Sequence, residues 1–245
     1  MELDWTILWG DAGLLILQGF VVTVKLAACA LVGAFALGVF FGTLRWLRLR
    51  ATEPLCWLYV ELSRNTPPVV QILFWYFSAS ILLPGWLFME LRDIGYEFGA
   101  ALVALSIYHG GFITEIVRAG LNAIPKGQIE AARALGLSFS QLFRRILAPQ
   151  AGRILAPTLV GEAASLVKNT SLAVAVGVAE MTYQYKYIDN FQFRGVEALM
   201  AITAIYFLLC LVIVGVEKLI SHRLLRNNPA AKALDMGAIT GSSEP

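Results

Sequence analysis

The sequence from 124 to 149, IPKGQIEAARALGLSFSQLFRRILAP, interrupts an otherwise strongly apolar chain. Pro125 and Gly127 are predicted to end the preceding helix, because proline lacks an amide donor and glycine is costly within a helix. Residues 128–135 form a good helical run, and Gly136 suits the left-handed residue that follows a helix. We therefore expect a short helix that ends at Gly136.

A second short helix is predicted directly after this glycine. Ser138, followed three residues later by Gln141, is a capping-box signature for a helix over residues 139–147. Pro149 is compatible with the first turn of the next helix. The first helix also has a small apolar face, made by Ala131, Ala132 and Leu135. Such a helix pair either lies on a membrane surface or docks in a groove of another protein.

The composition indicates a membrane protein. Of the 245 residues, 58% are hydrophobic and only 15% are charged, whereas soluble domains have about 25% charged residues. A net charge of +2 is too small to indicate a nucleic acid partner. The three cysteines and two histidines are isolated from one another, so we expect no disulfide and no metal site. The chain also lacks a G-x-x-x-x-G-K-[ST] loop, so we expect neither an ATPase site nor catalytic residues.

Five membrane-spanning helices are predicted, because a span needs about 20 mostly apolar residues. They cover residues 17–44, 55–83, 97–118, 150–179 and 196–220. Pro67 and Pro68 predict a kink in the second span. The fourth is long for one straight helix, so a break is expected between Asn169 and Ser171. The expected fold is all-α, with one polytopic transmembrane domain over residues 17–220 and the helix pair outside the membrane.

The distribution of Lys and Arg predicts the orientation, since cytoplasmic loops carry an excess of both. With the N-terminus outside, three lie in external loops (Arg92, Lys186 and Arg194) and thirteen in cytoplasmic segments. The thirteen are Arg45, Arg48, Arg50, Arg118, Lys126, Arg133, Arg144, Arg145, Arg153, Lys218, Arg223, Arg226 and Lys232. This excess places residues 124–149 and the C-terminus in the cytoplasm.

Both ends of the chain are expected to lie outside the transmembrane domain. Residues 1–16 form a short extracytoplasmic segment, and no basic residue precedes Lys25, so the first span is expected to stay as an anchor rather than to be cleaved. The residues after Arg226 lack apolar periodicity. Residues 221–245 are therefore expected to form a disordered cytoplasmic tail.

Small residues recur at four-residue spacing along the first span. They are Ala30, Ala34, Gly38 and Gly42. Because small side chains let helix backbones approach closely in lipid, this face is expected to pack on a helix of the same subunit or of a second subunit.

Three motifs resemble those of ATP-binding cassette (ABC) importer permeases. Residues 124–149 resemble the EAA loop of this family, although Ala148 stands where Leu is usual. YVELSRNTPPVVQ (59–71) and LVKNTSL (166–172) resemble the second-span and fourth-span signatures of its polar amino acid permeases. The RNTP variant within the first of these is most similar to glutamate/aspartate permeases. The resemblance covers nearly all of residues 17–220.

This resemblance implies a permease subunit in a bacterial inner membrane that imports a polar amino acid by alternating access. Glutamate or aspartate is favoured, with glutamine, arginine or another polar amino acid as alternatives. Residues 124–149, called the coupling loop below, would dock on an ATP-binding subunit. The docking residues that the resemblance implies are Glu130, Ala131, Ala132, Gly136, Ile146 and Pro149.

The resemblance also implies the partners of this chain. A dimer of ATP-binding subunits would bind ATP and Mg, so the permease needs no cofactor of its own. A second permease subunit, identical or paralogous, would complete the path, because one copy has too few helices to enclose it. A periplasmic or surface-tethered amino-acid-binding protein would deliver substrate from outside, and membrane lipid would surround the spans.

Polar residues in the second and fourth spans are the candidate substrate path. They are Arg64, Asn65, Thr66, Lys168, Asn169, Thr170 and Ser171. Charged groups within spans usually face a cavity or one another. Arg64 and Lys168 could attract a substrate carboxylate, while Glu61, Glu115 or Glu162 could meet its ammonium group. Alternatively, Arg64 pairs with Glu61, three residues before it, and holds the bundle together.

Two other function classes were compared with this interpretation. An ion-coupled secondary transporter would normally have more spans and an internal repeat, and the sequence shows neither. An intramembrane enzyme would need a paired catalytic motif such as H-E-x-x-H, which is also missing from the sequence. The importer permease therefore remains the favoured prediction.

Overall fold

The computed structural model describes residues 3–226, and every regular element within them is helical. The α-helices are α1 (Asp11–Leu47), α2 (Glu53–Asn65), α3 (Pro68–Leu82), α4 (Gly85–Asp93), α5 (Tyr96–Asn122), α6 (Lys126–Ala134), α7 (Phe139–Leu142), α8 (Ala148–Asn169), α9 (Met181–Gln192) and α10 (Gly195–Arg226). Two 3₁₀ segments, Trp5–Trp9 and Thr170–Val176, and a π-helical segment, Phe143–Leu147, complete the described chain. The predicted all-α fold is confirmed.

Four helical stretches within the described chain are long and apolar enough to cross a membrane. They are α1, α5, the continuous stretch Phe139–Val176 that contains α8, and the Gly195–Ser221 part of α10. The second predicted span, 55–83, is instead built from the shorter helices α2 and α3. Thr66 and Pro67 between them are extended (ψ 132° and 136°), because the residue before a proline avoids the helical region. The predicted kink is thus a complete break.

The ends of the first and last spans differ from the predicted bounds. α1 begins at Asp11 rather than at residue 17, and a 3₁₀ turn precedes it. Asp4 caps that turn by accepting a hydrogen bond from the Thr6 amide at 3.0 Å. At the other end, α10 continues through residues 221–226. The rest of the predicted tail, residues 227–245, lies outside the described residues.

The core of the fold is the close packing of α1 on α5. The small residues Ala30, Ala34, Gly38 and Gly42 are all buried along this contact. A Cβ atom on Gly42 would lie 2.8 Å from the Thr114 carbonyl oxygen of α5, well inside van der Waals contact. Of the two predicted alternatives for this face, packing within the same subunit is therefore the one observed.

Beyond α8 the chain changes to a tighter helix and then turns into α9. The change from α-helix to 3₁₀ helix occurs at Asn169 and Thr170, where the break was predicted. Glu180 then caps α9 by accepting hydrogen bonds from the Thr182 amide at 2.8 Å and the Tyr183 amide at 2.9 Å. The same carboxylate accepts a bond from the Tyr206 hydroxyl of α10 at 2.9 Å. Burial raises the pKa of Glu180 despite these donors.

Candidate functional site

The first half of the coupling loop is α6, which is tied to the following span. α5 already ends at Asn122, and α6 begins immediately after Pro125. Gly127 lies inside α6, so the prediction that it ends the preceding helix was wrong. The Gln150 side chain of α8 donates a hydrogen bond to the Gln128 side chain of α6 at 2.7 Å. This hydrogen bond joins α6 to the beginning of α8.

The end of α6 is a left-handed turn at Gly136. Its φ is +74°, a region that favours glycine. The Gly136 amide donates to the Arg133 carbonyl at 2.9 Å, and the Leu137 amide donates to the Ala132 carbonyl at 3.1 Å. These two bonds define a Schellman ending. The predicted left-handed ending of α6 at Gly136 is confirmed.

The second half of the coupling loop begins with the predicted capping box. The Ser138 amide donates to the Gln141 side chain at 2.9 Å, and the Gln141 amide donates to the Ser138 hydroxyl at 3.4 Å. α7 then widens into the π-helical segment Phe143–Leu147 and runs without a break into α8. Pro149 lies in the first turn of α8, as predicted.

The predicted docking residues do not all face outward. Glu130, Ala131, Gly136 and Pro149 are exposed, and Ile146 is partly buried. Ala132 is 3% exposed and belongs to the hydrophobic core, so it lies on the inner face of α6, opposite the exposed side. Two large apolar side chains beside the Gly136 turn are exposed instead, Leu135 at 80% and Phe139 at 48%. Of these, only Leu135 was on the predicted apolar face.

A polar cavity of about 270 Å³ lies between α5 and α8. It is lined by Tyr108, His109, Phe112, Glu162, Ser165, Lys168 and Asn169. Lys168 and Asn169 are thus the two predicted path residues that the structure brings into one cavity. Glu162, which was a predicted partner for a substrate ammonium group, lies on the same wall.

His109 connects the two helices that form this cavity. Its side chain is 1% exposed, and Nδ1 lies 2.6 Å from the Glu162 carboxylate. Nε2 lies 3.2 Å from the Asn169 side-chain nitrogen. With the Asn169 amide as donor, the imidazole accepts at Nε2 and donates from Nδ1 to Glu162. The sequence did not predict these contacts of His109, because its two partners lie 53 and 60 positions later in the chain.

Arg64 reaches toward the cavity rather than toward Glu61. Its guanidinium lies 5.3 Å from the centre of the Phe112 ring, which forms part of the cavity wall. Glu61 accepts a hydrogen bond from Asn65, one helical turn away on α2. The alternative in which Arg64 pairs with Glu61 is therefore not observed. A cation over an aromatic face gains electrostatic attraction from the ring, and this contact holds Arg64 beside the cavity.

The remaining path residues lie elsewhere. Thr66 lines a separate, almost entirely apolar cavity of about 570 Å³ at the break between α2 and α3. Thr170 is buried and donates to the Val167 carbonyl at 2.7 Å, while Ser171 donates to the Lys168 carbonyl at 2.8 Å. These hydroxyl groups stabilise the end of α8. Among residues 3–226, no cluster of His, Cys, Asp or Glu is suitable for holding a metal ion.

Comparison with known proteins agrees with this geometry. Residues 34–226 match the family described as "Binding-protein-dependent transport system inner membrane component". The glutamate/aspartate import permease protein GltJ of Escherichia coli (strain K12) is 35% identical, over 84% of this chain and 86% of GltJ. The glutamine transport system permease protein GlnP of the same organism is 32% identical, over 91% and 99%. The arginine transport system permease protein ArtQ of Bacillus subtilis (strain 168) is 30% identical, over 87% and 94%.

Solved structures are similar as well. The structure of this chain is similar to a crystal structure of an amino acid ABC transporter with histidines, with a TM-score of 0.75 and 27% sequence identity. The match covers 91% of this chain and 100% of that one. The MetNI methionine ABC transporter in an inward-facing conformation is similar in fold, with a TM-score of 0.70 at 22% identity over 86% of this chain and 96% of that one.

Proposed function

This chain belongs to the family of binding-protein-dependent transport system inner membrane components and is a permease of the amino acid ABC importer type, and we propose that its substrate is glutamate or aspartate. We propose also that the cavity between α5 and α8 lies on the substrate path. The observation that carries this proposal is the charge around that cavity. Lys168 lines it, and Arg64 is held at the Phe112 wall. Glu162 is the one carboxylate among the lining residues.

Lys168 in the cavity, Arg64 beside its Phe112 wall and the lining carboxylate of Glu162 together complement an acidic amino acid, which has two carboxylates and one ammonium group. His109 fixes Glu162 through one carboxylate oxygen, so the other oxygen is available to an ammonium group. A cationic substrate such as arginine would instead meet Lys168 and Arg64 with like charge, which is unfavourable in a site of low dielectric constant. Glutamine could bind here, but its side chain would leave one cation without a partner. The acidic substrate is therefore preferred.

The relatives include permeases for all three kinds of substrate. The relative whose substrates are glutamate and aspartate is similar over most of this chain. Permeases for glutamine and arginine are similar to a comparable degree. Overall similarity alone therefore does not choose among the three, and the charge of the cavity is the stronger argument.

The permease works with subunits that supply energy and substrate. ATP-binding subunits hold ATP and Mg and dock on the coupling loop at the cytoplasmic face, where the excess of Lys and Arg places it. The N-terminus lies outside, and a binding protein delivers the amino acid on that side. A second permease subunit, identical or paralogous, completes the path. Closure of the ATP-bound subunits rocks the two permeases between inward-open and outward-open states.

The outer surface of the coupling loop suits such docking. Helices that bind in a groove of another protein usually insert a few apolar anchors. Leu135 and Phe139 are large and exposed on either side of the Gly136 turn, while Gly127, Ala131 and Ala134 on the exposed side of α6 are small. Small residues let the partner's backbone approach, and the two anchors then fill pockets in it.

Binding of amino acids to the purified permease–ATPase complex, without binding protein, tests the substrate proposal. We expect labelled glutamate to bind, aspartate to compete with it, and arginine not to compete. Lys168→Gln should weaken glutamate binding by about tenfold or more, because it removes a charge-assisted contact. Lys186→Gln is the matched control, since Lys186 is exposed on α9 and does not line the cavity.

Three results would contradict the proposal. Binding of arginine that glutamate does not displace would indicate a cationic substrate. If Lys168→Gln and Lys186→Gln weakened glutamate binding equally, the binding site would not be this cavity. A glutamine preference with unchanged binding in Lys168→Gln would show that the cations around the cavity do not select the substrate.

A further inference from the structure

A third cavity lies where the end of α1, the end of α5 and the flank of α6 meet. Its volume is about 240 Å³. Trp46 contributes from the end of α1 and Arg48 from the residue directly after it, Leu121 from α5, and Lys126, Ile129 and Arg133 from α6. The cavity is thus formed by the coupling loop and the ends of two membrane-spanning helices.

Three cations line this cavity without a carboxylate partner. Arg48, Lys126 and Arg133 form no ion pair within 4 Å with any residue of the part of the chain that the structure describes. Nearby cations behave differently: Arg45 pairs with Glu53 and Glu115, and Arg118 pairs with the same Glu115. The ends of these helices therefore contain a neutralised group of charges and, beside it, a cavity with three cations facing no counterion.

Apart from Asn122, the remaining wall is apolar, and it lies at the end of the membrane spans. Leu121 and Ile129 line it together with Trp46, an amphipathic residue that is favoured at a membrane–water interface. A ligand that fits both parts must carry an anionic group and an apolar portion. A soluble anion would fill only the cationic part.

We propose that this cavity binds the headgroup of an anionic phospholipid of the cytoplasmic leaflet. Basic pockets at the cytoplasmic ends of spans are suited to anionic headgroups, and each Lys or Arg adds to the attraction. The acyl chains would continue along the apolar ends of α1 and α5. The proposal rests on the proposed function in one respect, namely the cytoplasmic position of the coupling loop.

The lipid site is separate from the docking surface. Successive residues of an α-helix are rotated by about 100° around its axis, so Lys126 and Arg133, seven positions apart, lie on one flank of α6. That flank adjoins the inward face, which carries Ile129 and the buried Ala132. Ala131 and Ala134 lie away from this flank on the exposed side. A bound lipid would therefore brace α6 against α1 while its outer face remains free for the ATPase subunit.

Lipid retention by the complete permease–ATPase complex tests this site. The complex is stripped of lipid in detergent, incubated with an equimolar mixture of phosphatidylglycerol and phosphatidylcholine, and analysed by mass spectrometry for retained lipid. We expect phosphatidylglycerol to be retained preferentially. The triple variant Arg48→Gln, Lys126→Gln, Arg133→Gln should weaken retention by about 100-fold, at about fivefold for each charge.

Two further variants control for general charge and for folding. Arg144→Gln, Arg145→Gln, Arg153→Gln removes three exposed cations of the same face that do not line the cavity, and it should retain the lipid preference. A third triple variant keeps each positive charge but changes its residue type (Arg48→Lys, Lys126→Arg, Arg133→Lys). It should show most of the lipid binding that the first triple variant loses.

Four outcomes would overturn the lipid site. Equal loss in both triple glutamine variants would indicate diffuse attraction to the membrane. Displacement of the lipid by inorganic phosphate at the same concentration would indicate a site for soluble anions. Loss of the ATPase subunit from the first triple variant would assign the cations to docking. Failure of the type exchange to restore binding would show that positive charge at these three positions is not what holds the lipid. Amino acid uptake is measured separately: preferential lipid retention without uptake of any amino acid counts against the proposed function alone.

Discussion

Replacing Gly136 with alanine is expected to separate ATP hydrolysis from transport. A left-handed conformation costs an alanine about 1–2 kcal/mol, and the φ of Gly136 is +74°. A Cβ atom there would meet nothing within 4 Å, so the substitution adds backbone strain without a steric clash. A cost of this size makes the turn roughly 5- to 30-fold less favoured. It is still small compared with the free energy of unfolding of a domain, which is roughly 5–15 kcal/mol.

The expected consequence is a loss of coupling in a folded protein. The turn fixes the direction of α7 relative to α6 and keeps the exposed Leu135 and Phe139 on the docking surface. Amino acid uptake and ATP hydrolysis are measured together in vesicles that contain the permease, the ATPase subunit and the binding protein. Uptake per ATP hydrolysed should fall in Gly136→Ala, by up to the roughly 5- to 30-fold that the cost of the turn allows.

Two variants make this result interpretable. Gly152→Ala is the matched control, because Gly152 is an exposed helical glycine of α8 whose added Cβ also meets nothing within 4 Å. Its φ is outside the left-handed range, so an alanine there should stabilise the helix by about 0.5–1 kcal/mol. Gly136→Asn should restore coupling, because asparagine tolerates the left-handed region better than alanine. If Gly136→Ala transports as efficiently as Gly152→Ala, the conformation of the turn is not required for coupling and the reasoning fails.

Two other predictions concern the packing of α1 and the cap of α9. Gly42→Ala should lower the thermal stability of the detergent-solubilised protein by about 1–3 kcal/mol through overpacking, because its Cβ would lie 2.8 Å from the Thr114 carbonyl oxygen; a melting temperature equal to that of Gly152→Ala would contradict the close contact of α1 with α5. Burial raises the pKa of Glu180 above its usual value of 4.5, so the folded state holds more protons there and stability falls as pH rises from 4.5 through the raised pKa. Glu180→Gln should remove this contribution. The melting temperatures of the two proteins are measured from pH 4 to pH 7, and a constant difference between them over this range would show that Glu180 does not titrate there.

Local signals were sufficient to predict the coupling loop. Gly136 and the Ser138–Gln141 capping box act over a few residues of backbone, so their conformations depend little on the rest of the fold. The break at Pro67 was predicted for the same reason, since proline restricts its own φ and the residue before it. Gly127 was predicted wrongly, because the cost of a single glycine in a helix is small enough for the neighbouring residues to outweigh it.

Side-chain partners across the bundle could not be predicted in the same way. His109 was treated as an isolated residue, although it contacts Glu162 and Asn169 of α8. Pairing of Arg64 with Glu61 was one of two predicted alternatives, because the two are one helical turn apart, but the Phe112 ring of α5 competes for it. Both contacts depend on how α5 packs against its neighbours, and no local pattern in the sequence specifies that packing.

α8 connects the coupling loop with the cavity between α5 and α8. Its beginning is tied to α6 by the bond between Gln150 and Gln128, and its last two turns carry Glu162, Lys168 and Asn169. Twelve residues separate Gln150 from Glu162, which is about 18 Å along a helix. No loop interrupts α8 over this distance, but Pro157 removes one backbone hydrogen bond within it and is where the helix would bend. A displacement of the coupling loop would therefore reach the cavity through α8, reduced by any bending at Pro157. His109 then opposes that movement from α5, because any shift of α8 relative to α5 must stretch the contact of its ring with Glu162. If the cavity lies on the substrate path, as proposed, alternating access must either break these hydrogen bonds or move the bonded groups together.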